Sequence, residues 1–217
     1  MVKLNTNENP YPPAPGVLAA RDAIAMDALR LYPDPTNGAL VNILAEYYGL
    51  NPEQVFVGVG SDDVLATAFL TYFNSGKPVL FPDITYSFYD VYTNLYQIPY
   101  KQLPLDEQLR ICKEDYYLEN GGIILANPNA PTGIYEEISV IEDILIHNPD
   151  VVVIADEAYV DFAEGGSALP LIEKYPNLLV VQTFSKSRSM AGMRIGYAMG
   201  NPRLIQALND VKYSINS

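Results

Sequence analysis

Residues 178–199 read LLVVQTFSKSRSMAGMRIGYAM. An apolar run (178–184) passes through small residues into a second apolar run (194–199). Each run has the length of a short strand, and its largely apolar character suits a strand buried on both faces. Lys186 stands between two serines just past the first run, and Arg194 follows beside glycines. Lysine is seldom buried without a partner, so this lysine at the mouth of a buried strand raises the question of what it faces.

The pattern continues outward from there. VVVIAD (151–156), GIILAN (122–127), PVLF (78–81) and VFVGV (55–59) are further short apolar strands, and IPYKQL (98–103) reads as another strand. Between them, 61–73, 85–97 and 136–148 have helical periodicity, with Ser61 as the expected N-cap of the first, and a further helix starts at Pro202. Residues 38–49 predict a helix with Leu40, Ile43, Leu44 and Tyr47 on one face, ended by Gly49, and 16–31 predicts one stopped by Pro33 and Pro35. The opening NTNENPYPPAPG reads as an extended arm. Strands alternating with helices predict an α/β fold with a mainly parallel sheet sandwiched by helices, and such sheets bind ligands at the carboxyl ends of their strands.

The 217 residues suffice for one large domain, and 13 basic against 26 acidic residues argue against nucleic acid as the main partner. The lone Cys112 excludes an internal disulfide framework, and no apolar run is long enough to span a membrane. The start lacks a signal-peptide core, so a cytoplasmic, membrane-free protein is expected.

Four strand ends carry candidate chemistry. GVGSDD (58–63) opens a helix whose free N–H groups suit phosphate, or is an ordinary capped helix. NPNAPTG (127–133) is a rigid turn able to aim an amide into a site, or a plain loop. VVVIADEAY (151–159) resembles the metal-binding strand of a P-loop ATPase, but the one Gly-Lys, in SGKP (75–78), is followed by proline and lacks the required upstream glycine. Asp156 is then a carboxylate at a buried strand end, costly unless a cation faces it. Lys186 and Arg194 are either surface cations or a nucleophilic amine and a phosphate clamp. Taken together with Tyr86 near another strand end, these groups match one cofactor, pyridoxal 5′-phosphate, which has an aldehyde, a pyridine nitrogen, a phosphate and a ring face.

The set NENPYPP, LYPDP, VGSDD, TYSFYDVY, NPNAPTG, ADEAYVDF and TFSKSRSMAGMRIGY resembles, in order, the motifs of the fold-type I pyridoxal-phosphate aminotransferases, and among them the histidinol-phosphate aminotransferases. The resemblance runs from LNTNENPYPP to DVKYSINS. It implies that Lys186 anchors the cofactor and moves the substrate proton, that Asp156 pairs with the pyridine nitrogen, and that Tyr159 donates to the ring's phenolic oxygen. Tyr86 would stack on the ring. Ser61 and Asp62, through backbone N–H groups or side chains, Thr183 or Ser185, and Arg194 would hold the phosphate. It further implies a homodimer in which Tyr32 reaches the partner's phosphate site, and a substrate-side lid around Glu8, Asn9 and Tyr11.

Two departures from the family pattern stand out. Ala130 occupies the position of an asparagine that bonds the phenolic oxygen, with Asn129 beside it as the substitute. The family also runs to about a third more chain, so residues 1–31 are expected as an arm and helix with lid and dimer contacts, and 32–217 as a cofactor-binding large domain without its C-terminal small domain. The implied activity transfers an amino group between histidinol phosphate and 2-oxoglutarate. Aromatic-amino-acid aminotransferase, threonine-phosphate decarboxylase and a silent truncated fragment are the alternatives. His147 is expected as a solvated helix-end residue and Cys112 as structural. Most of the tyrosines between 86 and 100 are expected to be packing, Glu157 to orient its turn, and Arg188 to be either a surface residue or part of a substrate phosphate pocket.

Overall fold

A computed structural model describes residues 5–212. The first four residues and 213–217, the end of the last family-like motif, lie outside the described residues. In chain order the elements are α1 (Pro15–Asp22), α2 (Gly38–Tyr48), β1 (Val55–Val59), α3 (Ser61–Tyr72), β2 (Val79–Pro82), α4 (Phe88–Leu95) and β3 (Tyr100–Leu103). They continue with β4 (Gly122–Ala126), α5 (Ile138–His147), β5 (Val153–Asp156), β6 (Leu178–Thr183), β7 (Ile195–Gly200) and α6 (Pro202–Val211), with short 3₁₀ turns between.

Among the described residues, seven strands form one sheet in the order β1-β7-β6-β5-β4-β2-β3. Pairing is parallel from β6 through β5, β4 and β2 to β3, while β7 runs antiparallel to both of its neighbours. The expectation of a mainly parallel sheet is met. The reversed strand has a consequence for the site: the start of β7, next to Arg194, lies beside the ends of the other strands.

The sheet separates two apolar layers. Alternate side chains of β5 and β6, such as Val153, Ala155, Leu178 and Val180, pack with α2 and α5 on one face. Ile154, Leu179 and Val181 pack with α3, α4 and α6 on the other. This alternation follows from the two-residue repeat of a strand.

Several boundaries differ from the sequence reading. The helix expected over 16–31 ends at Asp22 and resumes as a 3₁₀ turn over Met26–Arg30. Neither piece has a buried residue, and without a packed face a long helix has little to hold it. In α2 the buried residues are Leu44 and Ala45, while Ile43 and Tyr47 are exposed. The helix is rolled so that Tyr48 reaches Gln182 of β6. Gly49 does end it, in the left-handed conformation. The cap of α3 is Gly60, not Ser61. Gly60 has φ +84° and passes so close to β7 that a Cβ on Gly196 would lie 2.2 Å from the Gly60 carbonyl carbon.

Candidate functional site

At the carboxyl end of the sheet lies a cavity of about 470 Å³. Each strand end contributes through its own local geometry. The turn after β1 brings Ser61 and Asp62 in at the start of α3, β5 brings Asp156 with Ala158 and Tyr159 just beyond it, and the loop after β6 brings Ser185 and Lys186. Arg194 enters from the start of β7, and Tyr86 from the segment before α4.

Asp156 is buried at the floor. The donors that reach it are neutral: the Tyr89 hydroxyl at 2.7 Å and the Ala158 N–H at 3.3 Å. Burial pushes its carboxyl up to about 6, against the pull of those two hydrogen bonds. The carboxylate therefore has room for a cation that no side chain places in contact with it among the described residues.

The phosphate-type corner is built from Gly60, Ser61, Asp62 and Arg194. Arg194 Nη2 lies 3.4 Å from Asp62 Oδ2, and the Tyr86 hydroxyl donates to Asp62 Oδ1 at 2.8 Å. Asp62 thus spends its carboxylate on these two side chains, so an anion would be met by the free backbone N–H groups at the start of α3. Burial, and then the Asp62 carboxylate, raise the Tyr86 hydroxyl pKa. A Cβ on Gly60 would lie 2.4 Å from Arg194 Nη2, so glycine is needed there for the guanidinium to sit over the turn. Arg194 is itself left-handed, at φ +52°.

The arm closes one side of the cavity. Lys186 Nζ donates to the Thr6 carbonyl at 3.3 Å and lies 5.4 Å from the centre of the Tyr159 ring. Asn7 Nδ2 donates to the Tyr159 hydroxyl at 2.9 Å, and Asn9 Nδ2 reaches the carbonyls of Lys186 and Ser187 at 3.2 and 3.1 Å. Thr6 and Glu8 line the cavity.

The structure thus gathers Lys186, Asp156, Tyr159, Ser61, Asp62, Tyr86, Ser185, Arg194 and Glu8 around one space, and Asn9 supports it from behind. Other candidates stand elsewhere. Asn129 is turned away: its amide donates to the Ile84 carbonyl and Thr132 Oγ1, and its oxygen accepts from Thr85. With both ends satisfied it stabilises the loop, and Pro128 and Ala130 are the residues of that loop that line the cavity. Thr183 Oγ1 is held by Ser185 and the Ile195 carbonyl, so it orients Ser185. Tyr11 and Tyr32 are exposed. Arg188 is neither free on the surface nor in the cavity lining; it points to the opposite face of the sheet, toward Tyr48 and Tyr197.

Sequence reasoning missed two groups of residues. Tyr89, expected as packing, reaches Asp156 across 67 positions of chain. Thr6 and Asn7 carried no signal beyond their place in an irregular arm, although asparagine tolerates the left-handed φ of +51° that Asn7 adopts.

The family "Aminotransferase class I and II" matches residues 1–217. Histidinol-phosphate aminotransferase 1 of Pseudomonas fluorescens is 55% identical over all of this chain and 62% of its own length. Histidinol-phosphate aminotransferase of Clostridium botulinum is 54% identical over all of this chain and 61% of its own. The crystal structure of histidinol-phosphate aminotransferase from Sinorhizobium meliloti, in complex with pyridoxal-5′-phosphate, superposes with a TM-score of 0.88 at 26% identity, covering 96% of this chain and 59% of that one. The chain therefore spans about 62% of the length of the curated relatives it matches, so they exceed it by more than the third expected from the motifs.

Proposed function

This chain belongs to the aminotransferase class I and II family, and from that premise we propose that it carries the cofactor site of a pyridoxal-phosphate-dependent histidinol-phosphate aminotransferase with 2-oxoglutarate as the second substrate. The observation that carries the reading is the pairing of Lys186 with the buried, cation-deficient Asp156 in one cavity. A carboxylate at the floor, an amine at the wall and an arginine beside a helix N-terminus suit the pyridine nitrogen, the aldehyde and the phosphate of that cofactor.

Pyridoxal phosphate supplies, when bound, a carbonyl for an amine and a ring that accepts the electron pair left at the substrate Cα. The other tasks fall to the protein. Asp156 would keep a positive charge on the pyridine nitrogen, an interaction strengthened by burial. Lys186 would hold the cofactor until a substrate amine takes its place, and the freed amine would then move the proton to and from Cα; its backbone is fixed for this by Asn9. Arg194, the N–H groups of Ser61 and Asp62, and the Ser185 hydroxyl hold the phosphate. Tyr86 would offer its ring as a wall, set by its bond to Asp62, and the Tyr159 hydroxyl would donate to the phenolic oxygen of the ring. Glu8 and the arm exclude water on the substrate side.

A homodimer belongs to the same reading. Met26, Leu29, Leu31 and Tyr32 are all exposed on one short segment, which suits burial against a second copy with Tyr32 reaching its site.

Borohydride reduction of the purified protein with pyridoxal phosphate, followed by peptide mapping, tests the cofactor; a reduced adduct on Lys186 is expected, and its absence with excess cofactor removes the reading. A substrate panel tests specificity: transfer from histidinol phosphate should far exceed transfer from phenylalanine, and the reverse order would reassign the substrate.

A further inference from the structure

Arg188 lies two residues beyond Lys186, yet its side chain crosses to the other face of the sheet. Its Nη1 donates to the Tyr197 hydroxyl at 2.6 Å and its Nη2 to the Tyr48 hydroxyl at 2.9 Å. The guanidinium lies 4.8 Å from the centre of the Phe184 ring. Its Nε reaches Asp161 at 3.2 Å, and the same carboxylate accepts from Ser187.

Behind the two tyrosines the network continues through buried groups. Both hydroxyls lie within hydrogen-bond distance of Gln182 Oε1, at 2.7 and 2.8 Å, and 2.7 Å from each other. Gln182 Nε2 donates to Glu157, which also accepts from Ser167 and the Ala168 N–H. The carboxylate fixes the amide orientation, since only the NH₂ end can face an acceptor.

Proton counting shows why the arginine matters. Three oxygens stand in mutual contact, but the two hydroxyls hold two protons between them. One of the three contacts therefore lacks a hydrogen and is repulsive. A cation that donates to both hydroxyls offsets that repulsion, and the planar fork of arginine does so with two N–H groups at once. Without it the tyrosines would part, and the turn 184–190, closed by Met190 N–H to the Phe184 carbonyl, would lose its tether on that face.

We propose that Arg188 is a positioning residue for Lys186: by clamping Tyr48 and Tyr197 on the far face of the sheet, it sets the lysine-bearing turn so that the amine faces the cavity. The inference rests on the cofactor reading above, and the experiment separates the two. Pyridoxal phosphate is added to wild type, Arg188→Met, Arg188→Lys, Tyr48→Phe and the Arg188→Met/Tyr48→Phe double variant. Adducts are trapped with borohydride over time and quantified at Lys186, with Lys174 as internal reference and the urea midpoint as the measure of fold.

Arg188→Met should slow adduct formation at Lys186 about tenfold, within the range of couplings inside one hydrogen-bond network, with Lys174 unaffected. Arg188→Lys should recover part of the rate, and the double variant should be no worse than Arg188→Met alone. A merely structural arginine would lower the urea midpoint and leave the rate at Lys186 within about twofold of wild type in the folded variants; that result overturns the proposal. Should Arg188→Met fail to fold, Arg188→Lys, which keeps the charge but lacks the planar fork that donates to both hydroxyls at once, decides by the same criterion. No adduct on wild type would remove the cofactor reading itself, whereas equal adducts throughout would remove only the role of Arg188.

Discussion

Replacing Asp156 with Asn should change how the stability of the cofactor-free protein depends on pH, in a direction opposite to that of most carboxylates. The folded chain raises the Asp156 pKa from its ordinary 3.8 to about 6, mainly through burial. The native state therefore binds this proton more tightly than the unfolded chain does. Below 3.8 the group is neutral in both states and costs nothing; as pH rises through about 6 the native state must carry a buried charge, and stability is lost. Two units at 1.36 kcal/mol each set the cost at neutral pH at up to about 3 kcal/mol. Asn is neutral at every pH, so the difference in unfolding free energy, variant minus wild type, should climb by up to about 3 kcal/mol between pH 4 and pH 7.5. Urea denaturation across that range measures it. Glu157, with its carboxyl pushed by burial to about 7, adds a slope to both proteins; the Asp156 charge contributes to that rise, so what remains of it in the difference has the same sign. Supplying pyridoxal phosphate should reverse the order at neutral pH, because a cationic nitrogen facing Asp156 stabilises the wild type and not the variant. Parallel stability curves without cofactor would refute the claim that Asp156 stands as a buried charge in need of a cation.

Two further substitutions probe the walls of the same site. Gly196→Ala would place a methyl group 2.2 Å from the backbone of Gly60 and Ser61; backbone cannot yield as a side chain does, so a loss of about 1–3 kcal/mol is expected, with weaker cofactor affinity as the α3 N-terminus is pushed away, measured by urea denaturation and by cofactor titration. Tyr89→Phe removes the hydroxyl that donates to Asp156 and should cost about 1–3 kcal/mol at pH 7.5 and less at pH 5; equal losses at both would show that the bond does not serve the ionised carboxylate.

Most of the strands were legible because they are short and largely apolar, β3 with its exposed Lys101 and Gln102 being the exception, and the rule that ligands gather at strand ends then pointed to Lys186, Asp156 and Arg194 before any contact was known. Helix boundaries were less so. The 16–31 segment has helical periodicity, but the structure gives its apolar residues nothing to pack against, and periodicity alone cannot reveal that. Tyr89 was hidden among tyrosines 86, 92, 96 and 100, all compatible with packing; which of them meets a carboxylate far along the chain is decided by the β2–β4–β5 order, not by local pattern. Asn129 and Ala130 differ by one position, and the turn directs the asparagine onto Thr132 of its own loop and across to Ile84 and Thr85 of the segment after β2, an outcome set by backbone geometry that composition does not report.

The Asp-Glu pair at 156–157 shows how one strand end serves two purposes. Successive residues of a strand point to opposite faces. Ile154 packs on the face of α3 and α4, so Asp156, two residues on, meets Tyr89 of α4 and the cavity. Ala155 packs on the face of α2, so Glu157 meets Gln182 there, and through it Tyr48 and Tyr197. The neighbouring strand repeats the division: Thr183 turns to Ser185 at the cavity, while Gln182 turns to Glu157. Two buried carboxylates one residue apart would repel strongly in a single pocket. Divided by the sheet, one is left for a cation from outside the chain and the other is satisfied by Ser167, Ala168 and Gln182. Arg188 joins the two faces, because its backbone belongs to the turn that carries Lys186 and its guanidinium belongs to the network that ends at Glu157. A change on the far face should thus be felt at the amine without any group there touching the cavity.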